Sequence, residues 1–321
     1  MLVGLWHAGG MFVGAADAPS PHVEPGVLLT YFQTSDATLV VDGLLTVVAV
    51  TYFVGVGAVG RHRRPLRLEG PTGPGDRGGW PAGQTACFVA GLLCIFVAVG
   101  SGLAAYDDLN PSAHMVQHAL LMMVGAPLLV AGQPLVLLAQ AGPRSVQRAV
   151  VRTTGSRWAA VLTGPVAWIL YFGSMAGYLL TPLYADSVRD QAVHDAVHAW
   201  FLMVGCLYWT GVLGPDGYAH RRSLVRRAVA VMAGMPVEAA LGLALVIWPW
   251  PLAPGYTLAA THAAGQVFWM TAMVTGGVAV AALVHRWIVT DERRVRRLDE
   301  RAERAERAER AVIEPGVGGG P

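Results

Sequence analysis

Seven long apolar stretches, at about 38–60, 82–104, 113–139, 158–181, 194–214, 228–248 and 264–288, set the terms for any fold of this chain. Each reaches the roughly 20 residues a helix needs to cross the hydrocarbon of a bilayer. Backbone N–H and C=O groups find no water there, so a spanning segment is either a helix or a strand of a closed barrel. These runs are about twice the length of a barrel strand and lack its strict alternation of apolar and polar residues. The expectation is an all-α, polytopic membrane protein: one bundle of seven transmembrane helices over 38–288. An extracytoplasmic segment, 1–37, precedes it and a charged cytoplasmic tail, 289–321, follows. Only 14% of the residues are charged, against roughly 25% in soluble domains.

The net charge of +2 hides an asymmetry. All 23 basic residues are arginine, and 22 of them fall on alternate links or beyond the last span; Arg189 alone lies on the other side. By the positive-inside rule the arginine-rich links and the C-terminus are cytoplasmic and the N-terminus is outside, which an odd number of spans requires. The cell (plasma) membrane is the expected location. The arginines are topology anchors, not a nucleic-acid surface. The first twenty residues combine an apolar stretch and an "ADA" ending with no basic start, which leaves a cleaved signal, an ordered outer segment, a misassigned start codon and a short outer tail as alternatives. In the tail, Arg-Ala-Glu repeats put opposite charges at i,i+4 and wind them around all faces, as in a solvated helix. The helix is expected to fade into "GVGGGP". Cys87, Cys94 and Cys206 lie inside spans; an odd, buried set argues against a disulfide framework.

Topology gives the histidines a place. His114 and His118 open the third span, His194 and His198 the fifth, and His262 the seventh, all at the outer boundary. Residues four apart share a helix face, so two such pairs at one depth can offer four imidazoles to one bound ion or two. Imidazole suits copper, zinc, iron and nickel; Met115, beside His114, offers a soft thioether that favours Cu(I). Haem competes for paired histidines, but neighbours one turn apart on one helix cannot clamp one ring from both faces. Only a cross-helix pair such as His118 with His198 can. Glu238, mid-span in "MAGMPVEAALG", is protonated or paired there; it can assist a metal, carry a proton, or bond a neighbouring helix. Asp195 turns from the shared histidine face by roughly 100° per residue step. No phosphate loop, no nucleophile elbow and no large extramembrane domain points to an enzyme.

"SAHMVQHALLMMVGAPLLVAGQPL", "YLLTPLYADSVRDQAVHDAVHAWFLMVGCLYWTGVLGPD" and "VFWMTAMVTGGVAVAALVHRWIVTDERRVRRLDER" together resemble the CtaG family of cytochrome c oxidase assembly factors. The likeness covers about residues 38 to 300. It implies a seven-helix protein that matures the copper centre of a haem–copper oxidase. The oxidase subunit would be its partner, with a copper donor protein upstream, and His114, His118, His194 and His198 would handle the metal. The chain departs from the family in carrying Glu238 where relatives usually have a histidine, and in bringing His262 in "ATHAAGQ". The first expectation is therefore a copper-holding assembly factor at the outer membrane face. A copper permease and a haem-binding electron-transfer protein are the alternatives.

Overall fold

The computed structural model describes residues 36–61, 79–106, 109–214 and 223–313, and these are all helical apart from their connections. The expected outer segment lies outside them up to residue 35, as does the tail beyond residue 313. Helix α1 (Asp36–Arg61) is followed by α2 (Ala82–Gly100) and the single turn α3 (Leu103–Tyr106). The third span combines α4 (Pro111–Ala119), a π-helical turn at Leu120–Gly125, α5 (Ala126–Ala131) and α6 (Pro134–Ala141). After the exposed α7 (Arg144–Thr154), the fourth span joins α8 (Arg157–Val161), a second π turn at Leu162–Val166 and α9 (Ala167–Leu180). Then come α10 (Leu183–Arg189), α11 (Gln191–Leu213), α12 (Leu224–Val246) and α13 (Leu258–Ile313).

Seven of the helical stretches are long and apolar enough to cross a membrane: Leu39–Arg61, Ala82–Gly100, Pro111–Ala141, Arg157–Leu180, Gln191–Leu213, Leu224–Val246 and Leu258–Glu292. They match the expected spans one for one, and their ends have local causes. Asn110 caps α4 by accepting from Ser112 N at 2.9 Å, with Pro111 as the first helical residue, where its missing N–H costs nothing. Asp190 caps α11 by accepting from Ala192 N and Val193 N at 2.8 and 3.3 Å. The largest departure is α13, whose 56 residues run on without a break from the seventh span into the Arg-Ala-Glu repeats. Ion pairs Arg304–Glu300 and Arg307–Glu303, at 3.1 and 2.8 Å, support that extension.

The third and fifth spans form the centre of the bundle. They approach closely because Gly205 has no side chain; a Cβ there would stand 2.9 Å from that of Ala126. The π turn beside this contact follows from Pro127. Position 127 supplies no N–H, so the carbonyl five residues back, Met122 O, accepts from Trp209 Nε1 of α11 at 3.1 Å instead. Gln117 fixes the rotation of α4 by donating to Ala98 O of α2 at 2.8 Å. Arg227 is buried and ties α12 to the end of α11 through Val212 O and Gly214 O, at 3.2 and 2.7 Å. By contrast α1 leaves Leu39, Val40, Leu44 and Val47 exposed, a face suited to lipid.

Candidate metal centre

The two histidine pairs are set by one local design used twice. Asn110 and Asp190 each cap a helix and receive the N–H of the residue four positions on, His114 N and His194 N, at 3.1 and 3.0 Å. The second histidine of each pair follows one turn later. Because α4 and α11 lie side by side and start at the same end of the bundle, the pairs meet at equal depth. Ring centroids are 4.4 Å apart for His114–His118 and 4.1 Å for His194–His198. Across the helices, His114–His194 and His118–His198 are each 4.9 Å apart, and the diagonal His118–His194 is 6.2 Å. His114, His118, His194 and His198 are 0%, 7%, 3% and 8% exposed.

Two overlapping sets of donor atoms result. One nitrogen each from His114, His118 and His194 lie within 4.8 Å of one another, and so do atoms of His194, Asp195 and His198. Asp195 therefore comes within reach of the cluster from its exposed side, held by Gln191 Nε2 at 2.9 Å, although its helical angle argued against a role.

A hydroxyl organises one side of the quartet. Tyr178 Oη lies 2.7 Å from His114 Nε2, 3.1 Å from His118 Nε2 and 2.8 Å from Ser187 Oγ. Ser187 Oγ also lies 2.8 Å from the carbonyl of Tyr184, which can only accept, so the serine proton goes there. The tyrosine proton must then go to Ser187 Oγ, and both histidines must donate their Nε2–H to the tyrosine oxygen. This assigns the same tautomer to His114 and His118, with the basic lone pair on Nδ1. A hydrogen-bonded ring nitrogen that leaves the other as donor atom is the usual arrangement of metal-binding histidines.

The donor set fits a metal ion. Uncompensated polar atoms are rare in protein interiors, yet His118 Nδ1 and His198 Nε2 are buried with no hydrogen-bond partner among the described residues. The space does not suit haem. The cross-helix rings are 4.9 Å apart, Tyr178 and Phe201 each pack 5.0 Å from His118, and the adjoining cavity measures about 20 Å³. A macrocycle has no slot there.

The other expected residues lie elsewhere. Met115 is buried beside His118 in the wall of that cavity. Glu238 is buried near the phenols of Tyr171 and Tyr208, whose rings stack at 4.4 Å. Tyr171 is seven residues before Tyr178 on α9, about 10 Å deeper. His262 Nε2 meets the carbonyl of Trp248 at 3.0 Å. Among the described residues, neither Glu238 nor His262 supplies an atom to either donor set. Sequence reasoning missed Tyr178, Ser187 and Tyr184, which share the segment "YLLTPLYADS". Its available sign was the Thr-Pro break after Leu180, which turns the chain so that α10 closes over the histidines.

The profile of a family described as cytochrome c oxidase caa3 assembly factor (Caa3_CtaG) matches residues 50–290. An uncharacterised protein of Mycobacterium leprae is 26% identical over 283 residues, which is 81% of this chain and 41% of that protein. Uncharacterised proteins of Mycobacterium bovis and Mycobacterium tuberculosis are each 27% identical over 245 residues, 70% of this chain and 37% of theirs. The chain thus spans about two fifths of the length of these relatives. No solved structure matches. With a family profile covering the second to the seventh span and about half of the first, the chain belongs to the cytochrome c oxidase caa3 assembly factor family.

Proposed function

We infer that this protein holds copper at the four-histidine site and passes it to a cytochrome c oxidase subunit during assembly, without catalysing a reaction of its own. The observation that carries this reading is the quartet, with two buried imidazole nitrogens that lack hydrogen-bond partners among the described residues. Imidazole donors suit copper, and the family description supplies the oxidase as partner. The arginine distribution supports an outer position for the site: the arginine-rich links attach to the opposite ends of the same spans. On this reading the quartet stands at the extracytoplasmic face of the cell membrane, where a copper donor protein can reach it. His114, His118, His194 and His198 are the ligands, with Asp195 at the open edge. Met115, Glu238 and His262 act outside this first ligand set.

The test is genetic and needs no purified protein. Deleting the gene should lower cytochrome c oxidase activity, with partial recovery when copper is added to the medium. Restoring the gene with His118→Ala and His198→Ala should fail to recover activity at low copper. Full recovery by that variant rules the quartet out of the assembly role.

A further inference from the structure

On the side of the quartet that faces the middle of the bundle lies a cavity of about 20 Å³. That is room for one water molecule or one ion. Its walls carry four thioethers: Met115, Met122 and Met123 from the third span and Met175 from the fourth. All four methionines are at most 3% exposed. From the third span Met115, His118, Ala119, Met122 and Met123 all line it, the i, i+3, i+4, i+7, i+8 stripe that one face of a helix presents. Methionine is the side chain best able to close an irregular gap.

The polar lining residues are His118 and Tyr178. The Tyr178 hydroxyl is already engaged by two histidines and Ser187. His118 keeps Nδ1 without a hydrogen-bond partner among the described residues. A buried water needs two to four polar partners, and the lining offers one imidazole and a hydroxyl already engaged. For a soft monovalent cation the same lining brings that imidazole and four thioether side chains, the donor types that select Cu(I).

We propose that this chamber is a second metal site, specific for Cu(I), with Met115, Met122, Met123 and Met175 as donors and with His118 Nδ1 serving either the quartet or the chamber, one ion at a time. The proposal rests on the copper reading above for the identity of the ion. An ion entering from the quartet needs only to exchange imidazoles for thioethers around His118, with no change of oxidation state. The chamber then keeps Cu(I) one turn deeper than the quartet, in a shell that excludes Cu(II).

The experiment uses the full chain in detergent, produced once with methionine and once with selenomethionine, loaded without oxygen with one and two equivalents of Cu(I). X-ray absorption at the copper edge should show nitrogen and sulfur neighbours in the first protein, with the sulfur shell replaced by selenium in the second. A shell of nitrogen alone, or a sulfur shell that stays sulfur because Cys94 or Cys206 supplies it, overturns the chamber and leaves the quartet standing. Selenium with no more than one nitrogen at two equivalents supports the chamber and overturns the quartet. As a second measurement, Met122→Leu, Met123→Leu and Met175→Leu combined should lower bound Cu(I) by one equivalent. Unchanged stoichiometry in that variant also overturns the chamber.

Discussion

Replacing Tyr178 with phenylalanine removes one oxygen and, by the hydrogen-bond logic of the site, disturbs three partners at once. His114 and His118 each lose the acceptor for Nε2–H, and Ser187 Oγ loses its donor. A buried donor left without a partner costs about 1–3 kcal/mol. Two such donors put the cost to the folded protein at roughly 2–6 kcal/mol, reduced to the extent that water enters from the exposed side near Asp195. The effect on metal binding is separable. Partners that orient metal-binding histidines are worth about 10–100-fold in affinity when removed. Tyr178→Phe should therefore keep the number of copper ions bound while weakening their affinity by about 10–100-fold, measured by competition with a chromophoric chelator in detergent. Ser187→Ala should have a smaller effect in the same direction, since the phenol keeps both histidines but loses the acceptor that directs its proton. Wild-type affinity in Tyr178→Phe would refute the assignment of both histidine tautomers.

Further expectations bear on the other parts of the account. Glu238→Gln and His262→Ala should each bind the wild-type amount of copper, because neither residue supplies an atom to the donor sets; metal analysis of the purified variants decides it. Asn110→Ala and Asp190→Ala remove the caps that set histidine depth, and each should lower stability by about 1 kcal/mol in thermal or denaturant unfolding. Gly205→Val forces a side chain against Ala126 at the central helix contact and should cost about 1–3 kcal/mol by the same assay. Arg227→Ala removes the buried guanidinium that binds Val212 O and Gly214 O, leaving those carbonyls short of a donor. It should loosen the junction of α11 and α12, read as faster amide exchange at residues 212–214.

How much of this was legible depends on how local each cause is. The spans could be read because length and apolarity act within one helix. The quartet could be read for a related reason: a capping residue, a histidine four positions on and another four beyond that occur twice, as Asn110–His114–His118 and Asp190–His194–His198. The Tyr178 hub could not, because it depends on α10 folding back after Thr181 and Pro182, a long-range event that periodicity does not encode. Asp195 was set aside on an ideal helical angle, but it stands in the first turns of α11, where an exposed carboxylate can swing toward its neighbours. Of the methionines on the third span the sequence singled out Met115 beside His114; Met122 and Met123 join it because 115, 118, 119, 122 and 123 make one helix face, but the open space they meet depends on Met175 and Phe268 from other spans. Glu238 and His262 illustrate the opposite case: residue type suggested both, with depth added for His262, and packing sets each of them apart from the donor sets.

The central claim, that the four histidines hold copper, is tested most directly by metal analysis of the purified full chain beside His118→Ala with His198→Ala. The account predicts about one or two copper ions in the unaltered protein and a loss of the quartet's ion in the double variant, with nitrogen neighbours disappearing from the copper-edge spectrum. The same copper content and the same nitrogen shell in both proteins would contradict it.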